Sequence, residues 1–265
     1  LMVLPYRSTG KPFLVDFYLG RLENPQFKQG HIDAKMWLYL IGAVMLELNI
    51  LGFVAHQKVT FGEVFSGTIL CALMLSYFVW DYLSFEKVHL YTYDFFAERV
   101  GFKLGWGCLC FYPYFYLVAL WSTINLPDPN RPVWQLICFA LIFLSGWVLA
   151  RGANMQKYFF KTKPEKSFLG IKPETITDGN KTLLVNGFWG LSRHINYLGE
   201  ILMATGIALS VGYPDLFWVW LYPLYYVALL FPRELDDDKR CAIKYGELWK
   251  TYKQKVKYKI IPYIY

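Results

Sequence analysis

Fifteen residues, Asn186 to Glu200, read N-G-F-W-G-L-S-R-H-I-N-Y-L-G-E and place a Trp, an Arg-His pair and an Asn-Tyr pair between a polar loop and an apolar run. Charged and polar side chains at membrane depth are costly and usually face an interior cavity. Arg193, His194, Asn196 and Glu200 therefore mark the wall of a ligand site. Three basic clusters could serve an anion: Arg151 with Lys157 and Lys161, Arg193-His194, and Arg233. Such cations suit phosphate, and the rings of Trp189, Tyr197 and Tyr245 suit stacking on a flat heterocycle. Taken singly, each cluster reads as an ordinary anchor flanking a membrane span. The chain has no G-x-G-x-x-G and no G-x-x-x-x-G-K-[ST], so a bound nucleotide has to be held in another way.

The tail P-R-E-L-D-D-D-K-R-C-A-I-K-Y-G-E-L-W sets Arg233 and Asp237 four apart, on one face of a helix. A solvated, salt-bridged helix would show the same pattern. Gly246 after Lys244-Tyr245 reads as its stop.

These residues need elements to carry them. Residues 1–35 are polar and broken by Pro and Gly, a lead-in loop with a short amphipathic piece around Phe13–Tyr18. Apolar runs follow from Met36 to Ala55, interrupted by Glu47 and Asn49, and from Val64 to Trp80. The first is long enough to cross a hydrocarbon core of about 30 Å. Residues 81–103 carry too many charges to face lipid and read as a connector or re-entrant segment. Leu104 to Pro127, with Pro113 inside, predicts a kinked span, and Val133 to Ala150 predicts a fourth. Arg151 to Lys181 reads as a Lys-rich polar loop. Ile201 to Pro214 and Leu216 to Pro232 predict a helical hairpin turning at Gly212-Tyr213-Pro214-Asp215. The expectation is an all-α polytopic membrane bundle with about six transmembrane helices.

Composition agrees. The chain of 265 residues is 55% hydrophobic, 20% aromatic and has a mean hydropathy of +0.27, against about 45–50% apolar for a soluble domain. The net charge of +7 gathers in loops beside the spans, as cytoplasmic loops do, and forms no stripe suited to nucleic acid. The five Cys include one C-x-C, Cys108 and Cys110, with no second pair or nearby His, so no metal site is expected. Leu1 in the first position points to a piece of a longer chain.

Four stretches resemble the sterol reductase family, which includes delta(14)-sterol reductase, the sterol-reductase domain of the lamin B receptor and 7-dehydrocholesterol reductase. Gly10-x-x-x-x-x-Asp16-x-x-x-Gly20-Arg21 with Asn24-Pro25 is similar to its first signature. Arg151-Gly-Ala-Asn154-x-Gln156-Lys157 is similar to its R-G-A-N-x-Q-K. Gly187-x-Trp189-Gly190 with Arg193-His194-x-Asn196-Tyr197-Leu-Gly199 resembles its G-W-W-G…R-H-P-N-Y-L-G-D. Arg233-x-x-x-Asp237-x-x-x-Cys241-x-x-Lys244-Tyr245-Gly246, with the closing Ile-Pro-Tyr-Ile-Tyr, resembles its second signature. The chain departs from these patterns at Pro232 for His, Asp236 for Arg, Ile195 for Pro, Glu23 and Gln26 around Asn-Pro, and Cys108 for an acid. The family also carries about four further N-terminal spans.

The resemblance implies NADPH-dependent reduction of a sterol carbon–carbon double bond, delta(14) first, with delta 7 or delta 24 as alternatives. It implies a sterol substrate within the bilayer, lipid around the spans, and residence in the endoplasmic reticulum of a eukaryote or the inner membrane of a bacterium. It assigns residues 36–150 to spans lining the sterol side and 151–265 to a cofactor region holding NADPH through Lys157, Lys161, Trp189, Arg193, His194, Asn196, Tyr197, Arg233, Asp237 and Tyr245. For the proton it points to a buried phenol or acid: Tyr77 first, Tyr116 second, with Asp237 among the relays. Tyr77 also reads as an aromatic of the interfacial belt. Two other readings compete: a methyltransferase resembling isoprenylcysteine carboxyl methyltransferase, which has a similar Arg-His-x-x-Tyr-x-Gly hairpin, and a catalytically dead sterol-binding protein.

Overall fold

The structure, a computed structural model, describes residues 10–265, apart from the side chains of Asp94 and Phe96. The opening of the expected lead-in, residues 1–9, lies outside the described residues. The chain forms two compact units, residues 10–131 with Ser210–Val219, and Pro132–Leu209 with Trp220–Tyr265.

The first unit opens with helix α1 (Phe13–Leu19) and a two-stranded hairpin, β1 (Gln26–Phe27) and β2 (Ile32–Asp33). The buried Asp16 of the first signature accepts from Arg21 Nε at 2.9 Å. Helix α2 (Ala34–Phe61) starts where the Asp33 carboxylate accepts from Lys35 N and Met36 N, and it stops at Gly62, whose φ of 79° is left-handed. Its outward stripe, Trp37, Leu40, Val44, Leu48 and Leu51, is exposed, while Ala43, Leu46 and Ile50 are buried. An apolar face turned outward at helical spacing is the pattern of a helix in lipid. Lys35 is fully buried and donates to Phe95 O and Glu98 O, so its charge is spent on the charged connector.

Helix α3 (Ser66–Ser84) follows, then two short helices, α4 (Glu86–His89) and α5 (Tyr93–Phe96), in the stretch read as a connector. The span expected from Leu104 to Pro127 is broken rather than merely kinked. Helix α6 (Phe102–Trp106) runs into a π turn over Gly107–Phe111, then α7 (Tyr112–Phe115) and α8 (Val118–Thr123). Pro113 sits in the first turn of α7, where its missing N–H is tolerated.

In the second unit, α9 runs from Val133 to Thr162. The polar loop expected from Arg151 is therefore the last part of this helix up to Thr162. Between Arg151 and Thr162 Gly152 is the weakest helix former, and Pro164 is the first real breaker. A hairpin, β3 (Thr175–Thr177) with β4 (Thr182–Leu184), follows in antiparallel register. After a short α10 (Phe188–Leu191) come α11 (Ile195–Ser210), α12 (Leu221–Tyr245) and α13 (Glu247–Lys255). Pro232, expected to end the second arm of the hairpin, lies inside α12. The helix passes it at the boundary between its apolar first half and its charged second half, where the surface is exposed. Gly246 ends the helix, as the sequence suggests.

Among the described residues, four segments are long and apolar enough to cross a membrane: Ala34–Phe61, Ser66–Ser84, Phe102–Thr123 and Val133–Thr162; α11 is apolar but shorter. The protein is an all-α polytopic membrane protein. The count of about six was reached by including α11 and the first half of α12, which are apolar without meeting that length.

Candidate functional site

The polar end of α9 and the turn before α11 lock together through amide chemistry. The Gln156 side chain accepts from Phe188 N at 2.9 Å and donates to Asn186 O at 3.3 Å. Gly187, at φ 64°, lets the backbone lie so close that a Cβ there would strike the Gln156 carboxamide. Trp189 Nε1 then donates to Ala153 O at 2.8 Å, fixing the indole on α9, and Lys157 Nζ stands 5.5 Å from the centre of that ring. The result is a cation beside an aromatic shelf.

Helix α11 is brought against α9 by small residues. A Cβ on Gly146 would meet Gly199 O at 2.5 Å, and one on Gly199 would meet Ala150 N at 2.5 Å. Close backbone approach of this kind is how membrane helices pack. It carries Asn196, one turn before Gly199, to Asn154, whose Oδ1 accepts from Asn196 Nδ2 at 3.4 Å. Asn196 Oδ1 is buried and accepts no hydrogen bond among the described residues.

His194 is buried, its ring stacked on Tyr197 at 4.7 Å and 20°, with Nε2 3.7 Å from Asp237 Oδ2. Burial, with Lys157 and Arg193 nearby, pushes its pKa down to about 3. The approach to Asp237 is thus between a neutral imidazole and a carboxyl, not an ion pair. Burial also raises the Asp237 pKa, with the Lys157 charge opposing the shift. Lys157, His194 and Asp237 are one electrostatic group carried by α9, the turn before α11, and α12.

Arg193 is tied to the end of the chain. Its Nη1 donates to Val256 O at 2.9 Å and to Lys257 O at 3.1 Å, and its backbone N–H donates to Tyr258 O. Ser192 Oγ donates to Ile260 O and His194 N to Lys259 O. This guanidinium clamps the chain after α13, where carbonyls outside any helix need donors.

Arg233 is half-buried on α12, one turn before Asp237, and Lys161 is exposed near the end of α9. Tyr245 stacks on Trp249 at 6.3 Å and Trp249 on Tyr252 at 4.9 Å, while the Tyr252 hydroxyl donates to Trp189 O at 3.5 Å. Trp249 Nε1 is tied to Asp238 Oδ1 at 2.9 Å. These rings join α13 to the shelf. The sequence reading did not single out Trp249, Tyr252 or Asp238, although the apolar spacing of the tail held the signal. It quoted Gln156 only as a motif letter.

Tyr77 and Tyr116 belong to the first unit. Tyr77, on α3, is half-buried with its ring 5.7 Å from Trp80. Tyr116, at the end of α7, is 4.8 Å edge-on from Tyr112 and 6.2 Å from Phe78. The structure therefore gathers Lys157, Trp189, His194, Asn196, Tyr197 and Asp237 in the second unit and places the two phenols in the first.

The chain is 35% identical over 254 residues to "Delta(14)-sterol reductase" of Arabidopsis thaliana, covering 94% of this chain and 66% of that protein. It is 32% identical to "Delta(14)-sterol reductase" of Methylotuvimicrobium alcaliphilum, covering 98% and 60%. It is 36% identical to "Delta(14)-sterol reductase TM7SF2" of Mus musculus, covering 95% and 60%. The chain thus spans 60% to 66% of the length of these relatives. The model of the ergosterol biosynthesis ERG4/ERG24 family matches residues 3–265. With nearly its whole length matched, this chain belongs to the ergosterol biosynthesis ERG4/ERG24 family.

Proposed function

We propose that the chain reduces a carbon–carbon double bond of a sterol within the bilayer, the delta(14) bond, with NADPH as reductant. The observations that carry this are the Lys157–Trp189 shelf and, on the helix packed against α9, Asn196 Oδ1, a buried acceptor with no hydrogen-bond partner among the described residues. A buried acceptor of this kind suits an amide donor from a ligand. The residues fit a dinucleotide: Lys157, Lys161 and Arg233 offer cations, Trp189 and Tyr245 offer faces, and Asn196, Tyr197 and Asp237 offer polar contacts. Arg193 and His194 serve it by holding the wall. The relatives named delta(14)-sterol reductases support the choice of bond, and family membership sets the methyltransferase reading aside. The membrane is that of the endoplasmic reticulum in a eukaryote and the inner membrane in a bacterium.

The bound cofactor supplies hydride to one alkene carbon. The protein supplies position, charge and a proton for the other carbon. Tyr77 or Tyr116 is the donor. A phenol with an ordinary pKa of about 10 needs a polar relay behind it to serve as a general acid.

The purified protein in lipid nanodiscs, given NADPH and a sterol with a 14(15) double bond, is expected to form the product with two added hydrogens. Parallel incubations with delta 7 and delta 24 sterols test the choice of bond. Retention of S-adenosylmethionine, or no turnover on any of the three, would overturn the proposal. Lys157, Lys161 and Arg233 are more cations than a pyrophosphate alone asks for, so NADPH should bind at least about tenfold more tightly than NADH, about 1.4 kcal/mol. Equal affinities in a titration would remove the 2′-phosphate from the argument.

A further inference from the structure

Helix α2 turns an apolar face outward, yet it carries a carboxyl near its midpoint, Glu47. Charges at such depth usually face inward and mark ion or proton paths. Glu47 Oε1 accepts from Ser76 Oγ of α3 at 2.9 Å. Its other oxygen, Oε2, is shut off from solvent and has no hydrogen-bond partner among the described residues. A half-satisfied buried carboxyl makes a poor structural cross-link, and a group of this kind calls for a functional account.

Its surroundings supply one. Two residues further on, Asn49 Nδ2 donates to Pro113 O at 3.1 Å. That carbonyl is available because Leu117 N, its usual donor in an unbroken helix, turns to Tyr114 O instead. Gly107–Phe111 is a π turn, a feature found mostly at functional positions. Tyr112, directly after it, lies within electrostatic range of both Glu47 and Cys108, and the ring of Tyr116 meets Tyr112 edge-on. Cys108 is the position where the resembled pattern carries an acid. The broken span thus sets Tyr112 near a carboxyl carried by its neighbour α2, with the ring of Tyr116 against that of Tyr112.

We propose that Glu47 supplies the proton for sterol reduction, passing it through Tyr112 to Tyr116. The inference rests on the reductase reading and selects Tyr116 over Tyr77. The Tyr116 O–H bond breaks as a C–H bond forms on one alkene carbon; a bound nicotinamide cofactor would supply the hydride for the adjacent carbon. The Tyr116 oxygen regains a proton from Tyr112, and Tyr112 from the Glu47 carboxyl. The carboxylate is recharged by water. The sterol gains one proton by this path, and the hydride that balances it would come from NADPH, oxidised to NADP+. Glu47 acts through the phenols and is a positioning residue of the proton path.

The test uses the full chain in nanodiscs with NADPH and a sterol carrying a 14(15) double bond. Glu47→Gln keeps the shape and the Ser76 contact but has no acidic proton. It should lower kcat about 100-fold, in the range for losing a general acid, with KM for both substrates unchanged. The solvent deuterium isotope effect on kcat should rise as proton delivery becomes limiting, and Glu47→Asp should recover at least about tenfold of the lost rate. A Gln variant with the parent's kcat and isotope effect overturns the relay while leaving the reductase reading standing. A change confined to the sterol KM also overturns it, since Glu47 then only binds the sterol. If the Gln variant does not fold, the Asp variant decides: a raised isotope effect supports the relay and an unchanged one sinks it. A parent with no turnover fails the reductase reading itself, and the relay falls with it.

Discussion

Helices α2 and α9 are both long, apolar on the outside and capable of crossing a bilayer, yet they handle their polar residues in different ways. Helix α9 collects Arg151, Asn154, Gln156, Lys157 and Lys161 at one end, and its neighbours meet Asn154, Gln156 and Lys157 with hydrogen bonds or a ring contact. Helix α2 carries Glu47 and Asn49 half-buried in mid-helix, Glu47 accepting from Ser76 Oγ and Asn49 donating to Pro113 O. The first arrangement can be built at the edge of the membrane, where water and headgroups lower the cost of charge. The second carries an insertion cost of about 2.5–3.5 kcal/mol for a charged side chain at a helix centre. A polar cluster at a helix end suits a large charged ligand that arrives from water. An isolated acid in mid-span suits something as small as a proton.

The comparison breaks if the two regions do not separate cofactor binding from chemistry. The largest effect should come from Arg233→Gln, which is expected to abolish turnover while the helices remain folded, because Gln cannot copy the planar cationic fork. Near-normal turnover, with circular dichroism unchanged, would return Arg233 to the role of membrane anchor. Next, removing one hydroxyl, in Tyr116→Phe or Tyr77→Phe, should lower kcat by roughly 10²–10⁴ with the NADPH dissociation constant unchanged. If Tyr77→Phe is the dead variant, the proton path through Tyr112 is wrong. If both variants turn over normally, the phenols only shape the sterol pocket.

The smallest effect concerns pH. His194 is depressed to about 3 by burial and by neighbouring cations, from 6.5 when unfolded. The unfolded chain therefore binds more protons between these values, and the stability that His194 contributes is intact above 6.5. It is lost as pH falls from 6.5 towards 3, with a slope of about 1.4 kcal/mol per pH unit at most. The thermal midpoint should be flat from pH 8 to 7 and decline by pH 5, and His194→Phe should flatten the decline. An unchanged midpoint at pH 5 in the parent would mean that the imidazole is open to solvent.

How legible each region was follows from the same contrast. The spans on α2, α3 and α9 could be read because their apolar runs exceed what a soluble core needs. The clustered cations and rings of the second unit could be read because several unusual residues fall within short stretches. The continuation of α9 past Arg151 could not: charge was taken for loop, although no residue before Pro164 stops a helix and Gln156 and Trp189 supply partners from far along the chain. Arg193 was taken for a ligand group because its type suits phosphate. In the structure its Nη1 also donates to the carbonyls of Val256 and Lys257, and no local pattern announces a contact across that distance. Glu47 was noticed as an interruption and given no role, since its meaning depends on the π turn that faces it.

The clamp at Ser192, Arg193 and His194 also bears on how the protein is made. Its partners, residues 256 to 260, lie 63 to 68 positions later in the chain where the side chains are involved. Chains emerge from the ribosome in order, and segments fold as their partners arrive. Asn186 to Glu200 must therefore wait, with Arg193 lacking these carbonyls, until α12 and α13 have been synthesised and the segment after them closes over it. During that interval the nascent chain exposes Trp189 and an apolar α11 beside unmet polar groups, a state suited to capture by a chaperone or by quality control. A substitution in residues 256–260 should thus lower the amount of protein that accumulates more than it lowers the activity of each molecule that completes folding.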